Sequence, residues 1–134
     1  MKGIIEIGMG LPSRGELARQ AIESAVETLA RANFAYLDKH PDTISFAQAP
    51  IKYQREFKFS GAERWQTIPE ILERGHGDCE DLSAWVIAEA RKKGLKAKPF
   101  VTGRKGKWHI RVKIKTRSGK IEIFDPSREK GMGK

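Results

Sequence analysis

The stretch RGHGDCEDLSAW, residues 74 to 85, holds the single cysteine of a 134-residue chain, placed between Asp78, Glu80 and Asp81 where a helix should begin. A thiol in the first turn of a helix faces unsatisfied backbone N–H groups and the positive end of the helix dipole. That environment lowers a cysteine pKa and can also stabilise the oxyanion formed when a carbonyl is attacked. Cys79 is therefore a candidate nucleophile, provided that a base and a group to orient that base are within reach. Of the three histidines, His40 sits beside Pro41 at a helix end and reads as surface, and His76 lies on a glycine-flanked loop as the weaker candidate base. His109 lies on a strand, and Asp125 ends the next one.

Whether His109 and Asp125 meet depends on the hairpin that joins their strands. A two-residue turn at Ser118-Gly119 pairs His109 with Arg128 and sends Asp125 to the opposite face. A three-residue loop, Arg117-Ser118-Gly119, instead puts Gly119 where a type I turn with a G1 bulge wants its left-handed residue. Thr116 then opposes Lys120, Asp125 opposes Arg111, and His109 becomes a same-face diagonal neighbour of Asp125, ~7–8 Å away at the backbone and within reach of an imidazole–carboxylate hydrogen bond. The second register is the expected one, with Arg111 as a competitor for Asp125.

The acidic residues oppose activation, because negative charge beside a thiol raises its pKa. Two arrangements would offset them. In the first, Asp78 caps the helix, Glu80 points to solvent and Asp81 pairs with a lysine or arginine. In the second, Asp78, Glu80 and Asp81 hold a hard cation such as calcium, whose charge inverts the local pKa logic. The first is preferred. No cofactor is required by this chemistry.

These groups must be positioned by the surrounding elements. Residues 3–8 (GIIEIG) read as a strand. Ser13 and Glu16 have capping-box spacing, so a helix is expected from there. Its apolar stripe is Leu17, Ala21, Ile22, Ala25, Val26, Leu29, Ala32 and Leu37, ending near Pro41. Between Pro41 and Gly61 only the alternation of Ile51, Tyr53, Phe57 and Phe59 suggests an extended segment. Thr67 before Ile68-Pro69-Glu70 starts a short helix. Residues 80–93 then form a helix apolar around most of its circumference, ended by Gly94 and buried at the centre of the fold. The segments 95–102, 107–116 and 120–125 read as strands of an antiparallel meander. Helices first and strands last argue for an α+β class in one domain over residues 1–134.

GDCEDLSAWVIAEARKKGLKAK, followed by KWHIRV and GKIEIFDPS, resembles the transglutaminase-like superfamily of papain-fold cysteine enzymes. Cys79, His109 and Asp125 match its cysteine, histidine and aspartate in order and element type. The upstream RWQTIPEILERGHGDCEDLS is similar to bacterial transglutaminase-like cysteine proteinases, some of which bind calcium through matching acidic residues. The resemblance covers residues 65 to 127. It implies N-terminal helices and a central cysteine-bearing helix packed on a C-terminal antiparallel sheet, and a Cys-His-Asp hydrolase acting on a peptide or other amide through a thioester. Trp65 and Gln66 are the candidate oxyanion donors. Small proteins similar to this one also occur in tailed-phage gene sets, so the alternative it implies is a virion-associated assembly module that keeps the fold without the chemistry.

Bulk properties narrow the partners. Apolar residues are 39% and charged residues 32%, ordinary for a globular domain. No segment reaches the ~20 apolar residues of a membrane span, and Glu6 interrupts the first apolar run, so neither membrane anchor nor secretion signal is expected. A lone cysteine suits the reducing cytoplasm. The net charge of +9 favours acidic partners, nucleic acid among them on charge alone, and leaves the oligomeric state undetermined.

Overall fold

A computed structural model describes residues 4–8, 15–55, 62–104 and 107–133. In chain order the elements are β1 (Ile4–Gly8), α1 (Glu16–Lys39), β2 (Lys52–Tyr53), β3 (Ala62–Gln66), α2 (Ile68–Arg74), β4 (His76–Gly77), α3 (Cys79–Lys92), β5 (Lys96–Arg104), β6 (Lys107–Lys115), β7 (Ile121–Phe124) and α4 (Pro126–Glu129). The arrangement is α+β. α3 lies at its centre, packed against α1 on one side and the β5-β6-β7 sheet on the other. Leu82, Ala84, Trp85, Ile87 and Ala88 of α3 are fully buried, as its near-continuous apolar circumference requires.

α1 begins two residues later than the Ser13–Glu16 spacing suggests. Its N-cap is Gly15, which has no side chain to cap with, and Glu16 opens the helix and pairs with Arg19 instead; Ser13 lies outside the described residues. The buried stripe is also rotated from the expected one. Ala18, Ile22, Ala25, Val26, Leu29, Ala30, Asn33 and Leu37 face the core, whereas Leu17 is 68% exposed and Ala32 is on the surface. A helix 24 residues long cannot bury every apolar side chain on one straight stripe, and contact with α3 and β5 selects the row through Ala18 and Ile22. Asn33 belongs to that row because its Oδ1 accepts the Ile68 N–H at 2.9 Å, satisfying an orphan donor at the start of α2.

Polar contacts fasten these layers. Arg91 of α3 makes a two-pronged ion pair with Glu27 of α1, at 2.6 and 2.7 Å, and its Nε and Nη2 donate to the Ala97 carbonyl of β5. Glu89 accepts from Trp85 Nε1 and from the Phe46 N–H, holding the segment after α1 against α3, where Phe46 meets Trp85 edge-on.

The sheet runs antiparallel in the order β5-β6-β7. β6 and β7 pair Val112 with Phe124 and Lys115 with Ile121, and Thr116 N donates to the Lys120 carbonyl at the hairpin end. Gly119 takes φ +88°, the left-handed position of the three-residue loop, and its N–H donates to Thr116. The expected register is therefore the observed one. β3 was not foreseen: it pairs antiparallel with β1, whose short run does match the expected strand at residues 3–8. In the segment from Ile51 to Phe59, Lys52–Tyr53 forms a strand parallel to β4, and Phe57 and Phe59 lie outside the described residues. No helix among the described residues is long and apolar enough to cross a membrane.

Candidate active site

Asp78 caps α3 as its position predicts. Its side chain accepts from the Asp81 N–H, and Asp81 Oδ2 accepts in return from the Asp78 N–H at 3.2 Å, a reciprocal box built from two aspartates. The cap makes Cys79 the first helical residue. Cys79 is only 9% exposed, and its thiol lies 3.7 Å from Glu80 Oε2. The Ile110 carbonyl accepts from Ser83 Oγ one turn further along α3. The first turns of α3 are thus tied to β6 at the residue that follows His109.

His109 and Asp125 meet as the hairpin register requires, with Nε2 to Oδ2 at 2.8 Å and both side chains partly shielded from water. The other Asp125 oxygen accepts the Arg128 N–H and caps α4, whose first residue, Pro126, needs no donor partner. Asp125 is thereby anchored on one side by backbone and on the other by imidazole. A carboxylate accepts, so Nε2 is the donor of this bond and Nδ1 is the nitrogen left facing away from Asp125. No hydrogen bond joins Cys79 to His109 among the described residues. Arg111, the expected competitor, makes no ion pair with Asp125 among the described residues, and its guanidinium lies over the Phe100 ring, 5.1 Å from the centroid.

Electrostatics at Cys79 run against the simple expectation from a helix terminus. Burial pushes the thiol pKa upward, the negative charges of Glu80 and Asp78 push it further, and only the Ile110 backbone works in the other direction. The resting sulfur is a thiol. Asp78 is itself pushed up to about 7, by burial first and then by the charge of Asp81. Asp81 is pushed up to about 7 by burial, opposed by the N–H bonds it accepts. The pair accordingly shares a proton near neutrality.

The expected pairing of Asp81 and the solvent orientation of Glu80 need correction. Asp81 is fully buried and pairs with no lysine or arginine among the described residues: Oδ1 accepts the Gln66 N–H at 2.8 Å, and Oδ2 accepts Gln66 Nε2 at 3.0 Å as well as the Asp78 N–H. Glu80 does not point freely to solvent but leans back on Cys79. No group of three or more His, Cys, Asp or Glu side chains among the described residues is arranged to hold a metal ion.

Gln66 is fully buried, and its amide nitrogen donates to Asp81 and to the His76 carbonyl. It thereby links β3, β4 and the helix start, with its NH2 group engaged in structure. Trp65 is 1% exposed and part of the core. His76 enters through its backbone, pairing with Lys52. One neighbour was not legible beforehand: Tyr53, placed by the β2–β4 pairing beside Gly77, has a phenol pKa raised by burial and then by the charges of Cys79, Asp78 and Glu80. A two-residue strand leaves no periodicity from which to place it.

Compared with protein-family models, with curated proteins and with solved structures, the chain has no match.

Proposed function

We propose that the protein is a cysteine hydrolase of the transglutaminase-like, papain-related type, a peptidase or amidase working in the reducing cytoplasm. The observation that carries this reading is the His109–Asp125 hydrogen bond, on the strand whose next residue, Ile110, accepts from Ser83 in the second turn of the Cys79 helix. In the proposed cycle His109 Nδ1 takes the Cys79 proton as the sulfur attacks the substrate carbonyl. Asp125 holds the imidazole and stabilises its charged form. The imidazolium then protonates the departing amine, leaving a thioester on Cys79. Water, deprotonated by the same imidazole, releases the acid and restores the thiol. Because the resting sulfur is protonated, proton transfer accompanies attack, in contrast to enzymes that rest as a thiolate–imidazolium pair.

The test is acylation by p-nitrophenyl acetate, followed by mass spectrometry of the intact chain. A hydroxylamine-sensitive acetyl group on Cys79, formed much more slowly after His109→Ala, is expected. Acylation that is absent, or indifferent to His109, overturns the reading. A second reading, a binding or virion-assembly module that keeps the fold, is favoured by one observation: the buried thiol sits against two acidic side chains that oppose its ionisation.

A further inference from the structure

The outer face of the β5-β6-β7 sheet carries charge that the protein does not neutralise. Cross-strand pairing sets Lys96 opposite Lys115 and Lys98 opposite Lys113, and the same rows continue on β7 to Ile121 and Ile123. Lys96, Lys98 and Lys115 are exposed, as are Ile121 at 57% and Ile123 at 43%. Like charges directly opposite one another destabilise a sheet. None of these four lysines has an ion-pair partner among the described residues, and Asp125, the acidic residue that follows β7, is held by His109. The next rows are Phe100–Arg111 and Thr102–His109, so the basic rows lead along one face to the histidine of the candidate site.

We infer that this face binds an acidic polypeptide segment in extended form and delivers it to the Cys79–His109 site, an assignment of substrate class that rests on the proposed hydrolase reading. The rows repeat every second residue, ~7 Å along the strands, which is also the repeat of acidic side chains at alternate positions of an extended peptide. Ile121 and Ile123 beside the lysines suit apolar residues interspersed with the acidic ones. A single-stranded nucleic acid would need free aromatic faces for its bases. The aromatic of this face, Phe100, is instead covered by Arg111 and by Lys113, whose Nζ is 4.9 Å from the ring centroid.

The experiment uses the full chain with Cys79→Ala, so that no peptide is consumed. Fluorescence anisotropy follows a labelled peptide of alternating Glu and Leu, its Gln/Leu counterpart and an oligothymidylate. The Glu peptide should bind, weakening steeply with salt, and the Gln peptide should bind about tenfold more weakly or worse. Lys98→Glu with Lys113→Glu should weaken the Glu peptide about tenfold, and Lys96→Gln with Lys115→Gln, a milder change, should act in the same direction. Equal binding of both peptides, unchanged binding by the variants, absence of binding, or tighter binding of the oligonucleotide overturns the inference. Because binding is read without the thiol, it separates the two ideas: peptide binding with no acylation of wild-type Cys79 overturns the hydrolase alone, and acylation without acidic-peptide binding overturns the docking face alone.

Discussion

His109 Nε2 and Asp125 Oδ2 stand 2.8 Å apart although 16 residues separate them in the chain, because a three-residue hairpin loop sets their strands in the one register that puts both on the same face. In the proposed cycle this bond fixes which imidazole nitrogen accepts the thiol proton.

Asp125→Asn should therefore slow acylation of Cys79 by about 10³-fold or more, since the amide favours the wrong tautomer. Asparagine still caps α4, so the melting temperature should change little; Asp125→Ala should lose the cap as well, at a cost of ~1 kcal/mol. Equal acylation rates in wild type and Asp125→Asn would remove Asp125 from the mechanism.

Glu80→Gln should make Cys79 more reactive. The carboxylate beside the sulfur helps hold its pKa up, and the neutral amide keeps the side-chain volume. The pH profile of iodoacetamide alkylation should shift to lower pH, with a rate several-fold higher in mildly alkaline buffer. An unchanged profile would leave burial and Asp78 to account for the raised thiol pKa.

Stability should carry an unusual pH signature from the start of α3. Asp78 and Asp81 are raised from ordinary aspartate values to about 7, so between those values the native state binds more protons than the unfolded chain. Their contribution is fully present below the ordinary aspartate pKa and is lost as pH rises through about 7. Asp78→Asn keeps the cap without a charge, so relative to wild type it should gain stability as pH rises over this interval, measured by urea denaturation. A difference that does not vary with pH would show that Asp78 titrates normally.

The Glu27–Arg91 pair should behave oppositely. Hydrogen bonding from Arg91 lowers the Glu27 pKa against the cost of partial burial, so its stabilisation is present above the ordinary glutamate pKa and lost as pH falls through the lowered value. Glu27→Gln should cost ~1 kcal/mol at neutral pH, with the two proteins converging in acid. The same denaturation series reads both effects.

Local signals were enough for the helix start at Asp78, the glycine stop at Gly94, the buried circumference of α3 and the Gly119 loop, and that loop carried the His109–Asp125 pairing with it. Each depends on residues a few positions apart, where backbone donors, dihedral preferences and strand alternation act directly. Tertiary structure decided the rest. Leu17 looked like core and is exposed, whereas Asn33, outside the expected stripe, and Gln66, expected as an oxyanion donor, are buried in structural bonds, because each follows what a distant element presents: α3 and β5 to α1, the Ile68 N–H to Asn33, and Asp81 to Gln66. The state of Cys79 was settled in the same way. A helix terminus by itself lowers a thiol pKa, but long-range packing buries this one and neighbouring carboxylates add to the effect, so desolvation and charge together exceed the pull of the helix end.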